Sequence, residues 1–202
     1  ASIETSDVLY SGDIAKWKKF GYSVLLRAGM RLSKIDATKA QSTVQAAVAG
    51  GVILLNGDNA YMRHDANYVQ PIGNMLNTTE AANFYLAKPF VDSLQLKNDP
   101  RLSSIAIRYK GATSGPTQTP AIGSTAAADQ IGMPIGFDNG TIVGRATADG
   151  LASFYDYSQV DRRRIAKNTA PVFFVTASQT LLLLAEASFR GWITTGTAAQ
   201  YF

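Results

Sequence analysis

The chain has 202 residues, enough for one domain or a large piece of one, and its 46% hydrophobic content is that of an ordinary globular core. Net charge is +4, but only 17% of residues are charged; Ala, Gly, Ser, Thr and Asn take their place, a weakly charged polar surface suited to a neutral ligand. Cysteine is absent, which excludes disulfides and cysteine-ligated metals. No apolar run approaches the about 20 residues of a membrane-spanning helix.

Residues 12–33 carry the strongest helical pattern. Ile14, Trp17, Phe20, Gly21, Val24, Leu25, Ala28 and Leu32 fall in an arc of roughly 140° at helical spacing, with Lys16, Lys19, Ser23, Arg27 and Lys34 opposite. Leu26 and Met30 project from that second side, so the helix is expected to pack between neighbours. Trp17 reads as a buried anchor whose loss would cost roughly 3–5 kcal/mol. Asp36 is a cap for a second helix, Ala37 to Ala49, ending at Gly50-Gly51. Its alanines let it lie close against the first. The pair spans about 39 residues, near the length of a tetratricopeptide-like unit.

Beyond residue 51 the character changes. Asn56-Gly57-Asp58-Asn59 and Pro71-Ile72-Gly73-Asn74 are turn signals. Residues 79–96 look helical, with Thr79 as a cap and Pro89 as a break or kink. Ser103 to Tyr109 reads as a short strand. From Gly111 to Asp129 the chain is rich in small and polar residues, with only Ile122 as a large aliphatic anchor, so a mobile, protease-sensitive loop is expected. Turns follow at residues 132–136 and 138–140. Ser153 to Arg164 is irregular, with clustered aromatics. Arg162-Arg163-Arg164 reads as a surface turn or ion-pair cluster, since no nucleic-acid-binding motif accompanies it.

The last long helix opens at Ala177 or Ser178 and runs to Phe189 or Arg190, where Gly191-Trp192 ends it. Another begins at Thr197 and has barely two turns. The start at Ala1-Ser2-Ile3-Glu4 shows no signal-peptide pattern. Together these lead to the expectation that the chain is an internal piece of a longer protein. The expected fold is mainly α, with a helical pair at 1–50, a loop-rich region with a short helix and strands at 51–170, and a truncated helical pair at 171–202.

Chemistry-bearing residues are sparse. His64, the only histidine, has Asp65 beside it, but adjacent residues of an extended chain point to opposite faces. Neither a nucleophile elbow nor a paired-histidine metal spacing occurs. The acidic residues are too scattered to nominate the facing pair a glycosidase needs. Asp138-Asn139-Gly140 is a turn before it is a calcium loop. No catalytic residue, metal or cofactor is therefore assigned. Two stretches do offer the aromatic faces and polar groups that hold sugars. One contains Tyr61, Asp65, Asn67 and Tyr68, with Asn59 and Arg63; the other contains Phe154, Tyr155, Asp156 and Tyr157. The opposing reading is that these tyrosines pack loops onto helices with their hydroxyls bonded. Trp17 and Trp192 are assigned to the core. An anionic ligand would instead recruit Arg63, Arg108 or Arg145.

Several motifs resemble the SusD/RagB family of outer-membrane nutrient-binding lipoproteins, and its second SusD-like subgroup in particular. They are Gly12-Asp13 with Trp17 and Phe20, Leu26-Arg27-Ala28 with Met30-Arg31-Leu32, Asp99-Pro100-Arg101-Leu102, Met133-Pro134-Ile135-Gly136 with Asp138-Asn139, and Leu183-Leu184-Ala185-Glu186-Ala187 with Arg190-Gly191-Trp192. Ala177 and Ser178 depart from the family pattern. The resemblance implies a tetratricopeptide-type helical-pair scaffold carrying a long, loop-rich, ligand-facing insertion. It implies a non-catalytic cell-surface protein that captures an oligosaccharide for a SusC-like TonB-dependent transporter, held to the outer membrane by a lipid anchor. The alternatives are a peptide-binding relative or a helical scaffold for protein–protein contact.

Overall fold

The computed structural model describes residues 6–202. In chain order its helices are α1 (Ile14–Arg31), α2 (Ala37–Gly50), α3 (Pro71–Asn77), α4 (Lys88–Leu96), α5 (Leu102–Ile105), α6 (Ile142–Ala148), α7 (Ala177–Phe189) and α8 (Ala198–Tyr201). Its strands are β1 (Ala60–Met62), β2 (Ala106–Tyr109), β3 (Gly123–Ser124), β4 (Gln159–Val160) and β5 (Val172–Val175). The protein is mainly helical, as expected. The chain divides into two compact units. The first joins the stretch up to Arg63 with Pro171–Phe202, and the second is His64–Ala170.

In the first unit the helix ends follow their caps. The Asp13 carboxylate accepts from Lys16 N, Asp36 from Lys39 N, and the Thr176 hydroxyl from Gln179 N. Thr197 and Gln200 form a reciprocal capping box at α8. Gly191 closes α7 at φ +71°, the left-handed conformation that glycine adopts without strain. The buried face of α1, however, is Ser23, Leu26, Gly29 and Met30. The arc expected to be buried is largely open: Ile14 is 70% exposed and Trp17 41%. Only Phe20 and Val24 of that arc are packed, against Ile53, Ala60, Val175 and Ala177. The close approach of α2 explains the reversal. A Cβ at Gly29 would stand 3.1 Å from the side chains of Thr43 and Val44, so the glycine lets Leu26 and Met30 meet Val44 and Ala47. Leu184 and Ala187 of α7 complete this core, and Trp192 packs against it as expected. The Ser23 hydroxyl, buried among these side chains, accepts the Ile53 N–H at 2.8 Å. Strands β1 and β5 pair antiparallel with Tyr61 opposite Phe173.

Trp17 is thus a half-open aromatic. Its ring lies 5.6 Å from Tyr10 and 5.7 Å from Phe20, and its indole N–H donates to Asp7 at 2.7 Å. Since the ring is not fully removed from water, Trp17→Ala should cost about 1.5–2.5 kcal/mol, roughly half the value for a buried tryptophan. Urea denaturation checks this, and a loss above about 3 kcal/mol would restore the buried-anchor reading.

In the second unit β2 is the centre of a three-stranded sheet ordered β3-β2-β4, both pairings antiparallel. The expected helix over 79–96 shrinks to α4. Pro89 sits in its first turn, where the missing N–H costs nothing, and Thr79 lies in a turn. The expected strand from Ser103 begins only at Ala106, after one helical turn. Helix α6 follows a turn that Asp138 pins by accepting from Gly140 N and Thr141 N.

Residues 111–129 are tied down, against the expectation of a loose loop. The Thr117 hydroxyl accepts from Thr113 N and Ser114 N. Gln95 donates to Ala127 O, Gln130 to Ser124 O and Ala126 O, and Lys110 pairs with Asp129 at 3.1 Å. Ser153 also donates to Ala112 O and Gln118 to Tyr155 O, 41 and 37 residues apart along the chain, ties that the segment's own composition does not announce. The arginine triplet lies in a turn and contributes an ion pair, as expected. Arg164 pairs with Asp161, and Arg162 donates to Leu76 O and lies over the Tyr109 ring.

Candidate functional site

The turn at residues 153–156 in the second unit projects two rings. The Ser153 hydroxyl accepts from Tyr155 N at 3.0 Å and donates to Ala112 O at 2.7 Å, which fixes the backbone. Behind it, Asp156 is buried and paired with Arg108 at 2.9 Å. Phe154 and Tyr155 stack on one another with centroids 4.1 Å apart. Tyr85 meets Phe154 edge-on at 6.3 Å.

These three rings line a pocket of about 470 Å³ with Phe137, Met133, Ile142, Ala82, Asn83, Asp138 and Asn139. The volume falls in the range of small-ligand sites. Its wall combines aromatic rings and aliphatic groups with the carboxamides of Asn83 and Asn139, the Asp138 carboxylate and the two tyrosine hydroxyls. No lysine or arginine lines it. Asp138 is held below the usual carboxylate range, chiefly by the Thr141 hydroxyl and backbone N–H. The bonds it accepts all fall on Oδ1, leaving Oδ2 free for a donor. Burial pushes the Tyr85 hydroxyl up to about 12, so it stays protonated at working pH; it donates to Ala82 O at 2.7 Å. Such a pocket can stack the apolar face of a ring and hydrogen-bond neutral hydroxyls.

Of the residues singled out from sequence, Tyr155 is in this wall. Tyr157 is not a platform: it is fully buried with Ile142, Ala146 and Leu151, and its hydroxyl donates to Asp149 at 2.7 Å. Tyr61 belongs to the first unit, where Phe173 approaches its ring at 5.3 Å and the Arg63 guanidinium at 4.9 Å while also donating to its hydroxyl. Asp65 spends its Oδ1 on Asn67 N and Tyr68 N, both at 2.8 Å. Tyr68 is 66% exposed and stacks on His64, while Asn67 is exposed beside it. Asp65, Asn67 and Tyr68 do not line the pocket. Arg108 and Arg145 are not free for an anion, being paired with Asp156 and Asp149. The sequence reading missed Asn83, Tyr85, Phe137 and Asn139. The same aromatic-plus-amide signal stands in Asn83-Phe84-Tyr85 and Phe137-Asp138-Asn139, but these were assigned to a helix and a turn.

One unit is thus built of packed helices, and the other holds a ring-lined pocket with no lysine or arginine in its wall. A SusD-like family model, described as "Starch-binding associating with outer membrane", matches residues 1–202, and the chain belongs to that family. Similar solved structures include a chitin-binding protein, 26% identical with a TM-score of 0.75, the match covering 96% of this chain and 39% of that one. A SusD homologue from Bacteroides fragilis is 27% identical with a TM-score of 0.73, covering 96% and 40%. A chitin-binding SusD homologue from Flavobacterium johnsoniae, 22% identical with a TM-score of 0.72 over 100% and 36%, shares the fold. The chain thus spans between 36% and 40% of the length of these relatives. No curated protein matches it.

Proposed function

We propose that the protein binds a neutral oligosaccharide at the Tyr155 pocket, without breaking a bond, in an outer-membrane nutrient-uptake system. The observation that carries this reading is the pocket wall itself, four aromatic rings with carboxamides and no cation. Family membership supports a glycan as the ligand class, and the chitin-binding relative at 26% identity supports it further. Only one carboxylate, Asp138, lines the pocket, so the facing acid and base of a glycosidase are not provided there. A concave ring-lined site favours ligand capture over a bare protein-docking scaffold. The protein then presents its glycan at the cell surface, lipid-anchored, to a SusC-like TonB-dependent transporter. Tyr68, with Asn67 and Asp65, serves as an outlying contact.

Calorimetric titration of the intact protein with maltohexaose and chitohexaose tests the reading. Tyr155→Ala should weaken binding by about 1–3 kcal/mol, the scale of an interface anchor, with the fold intact. Affinity should change little between low and high salt, because a neutral ligand has no charge to screen. Unchanged binding by Tyr155→Ala would move the site elsewhere, and a steep salt dependence would point to an anionic ligand.

A further inference from the structure

Two buried glutamines stand directly behind the pocket wall. Gln118 is 9% exposed and Gln159 only 1%. Gln118 Nε2 donates to Tyr155 O at 2.8 Å and reaches the Tyr85 hydroxyl at 3.5 Å. Gln159 Nε2 donates to Ala81 O at 3.2 Å and reaches Gln118 Oε1 at 3.4 Å. The direction of this chain is fully determined. Tyr155 O and Ala81 O can only accept, so each glutamine must turn its NH₂ towards one of them. Gln118 Oε1 is then left to accept from Gln159. The Tyr85 hydroxyl already donates to Ala82 O, so it accepts from Gln118. Neither amide can flip without setting two acceptors against each other.

We propose that Gln118 and Gln159 are positioning residues, a buried amide relay that locks the 81–85 segment and the 154–155 turn at the spacing the ligand requires. It rests on reading the Tyr155 pocket as the ligand site. The relay touches both halves of the wall, the Tyr85 hydroxyl and the Tyr155 carbonyl, without lining the pocket. The bonds themselves support a role in placement: each amide spends its N–H on a backbone carbonyl of one wall segment, Gln118 on Tyr155 O and Gln159 on Ala81 O. The amide delivers an N–H to Ala81 O and to Gln118 that no aliphatic group can supply.

The test compares Gln118→Met and Gln159→Met with Gln130→Met, a control in the same unit. Gln130 is 2% exposed, donates to Ser124 O and Ala126 O, accepts from the Ser158 hydroxyl, and neither lines the pocket nor bonds Tyr85 or Tyr155. Melting temperature and affinity for maltohexaose and chitohexaose are read for each. All three changes should lower the melting temperature comparably. Only the two relay variants should lose affinity, by about tenfold, the equivalent of one well-placed hydrogen bond. If the methionine variants do not fold, the isosteric Gln118→Glu change gives the same reading, because its carboxylate offers no N–H to Tyr155 O. Parent-like affinity in the relay variants, with Tyr155→Ala still weakened, overturns the relay and keeps the pocket. Equal affinity loss in Gln130→Met also overturns it, since general loosening would then explain the effect. Parent-like binding by Tyr155→Ala overturns the pocket reading and the relay with it.

Discussion

Asp156→Ala should destabilise the second unit by about 3–5 kcal/mol, the cost of leaving one member of a buried ion pair without its partner. Arg108 and Asp156 have side chains only 13% and 4% exposed. Arg108 Nε is shared between Asp156 Oδ1 at 2.9 Å and Asp156 O at 3.0 Å, and its Nη1 donates to Asp129 O at 3.0 Å. Removing the carboxylate leaves a mostly buried guanidinium with only the Asp156 and Asp129 carbonyls as partners. Asp156→Asn, which keeps an acceptor oxygen, should cost less. The comparison is Asp92→Ala, which breaks the Lys88–Asp92 pair. Those side chains are 44% and 49% exposed, and the loss should stay below about 0.5 kcal/mol. Because Asp156 follows Tyr155 directly, glycan affinity should fall together with stability. Urea denaturation of both variants decides the matter, and equal costs for Asp156→Ala and Asp92→Ala would show that the pair is solvated.

What the sequence revealed follows the range of the interactions involved. The cap Asp36 was legible because it acts on an N–H three residues along, at Lys39. The covered face of α1 was not. The periodicity offers two sides, and the choice falls to Leu26 because Val44, Ala47 and Leu184 arrive there from elsewhere in the chain. The same limit applies to residues 111–129. Their composition reads as loose, but Gln95, Ser153 and Tyr155 bond the segment from 32 to 41 residues away along the chain. The pocket is assembled from 82–85, 133–142 and 154–155, three stretches that no local pattern joins. Tyr155 was found because a tyrosine beside amides and acids is a local signal. Tyr157 was misplaced because the turn fixed by Ser153 and Asp156 sends it into the core, two residues from a ring that faces the pocket.

The reversed face of α1 sets up the other large effect. Leu26→Ala should cost the first unit about 3–5 kcal/mol, while Leu25→Ala, one residue earlier, should cost roughly 1 kcal/mol. Leu26 is 0% exposed and packs with Met30, Val44, Leu184 and Ala187. Leu25 is 37% exposed. On the sequence arc alone the order would be the opposite, so the pair of variants tests the fold directly. The cost at Leu26 combines lost transfer energy with a cavity whose walls come from α1, α2 and α7. Those helices approach through small residues, Gly29, Ala47 and Ala187, whose short side chains cannot move in to fill the space. Limited collapse places the cost towards the upper part of the range seen for buried leucines. The denaturation midpoint should fall with little change in slope, because the surface exposed on unfolding is nearly the same. A larger loss at Leu25 than at Leu26 would mean that α2 and α7 cover the other face of α1.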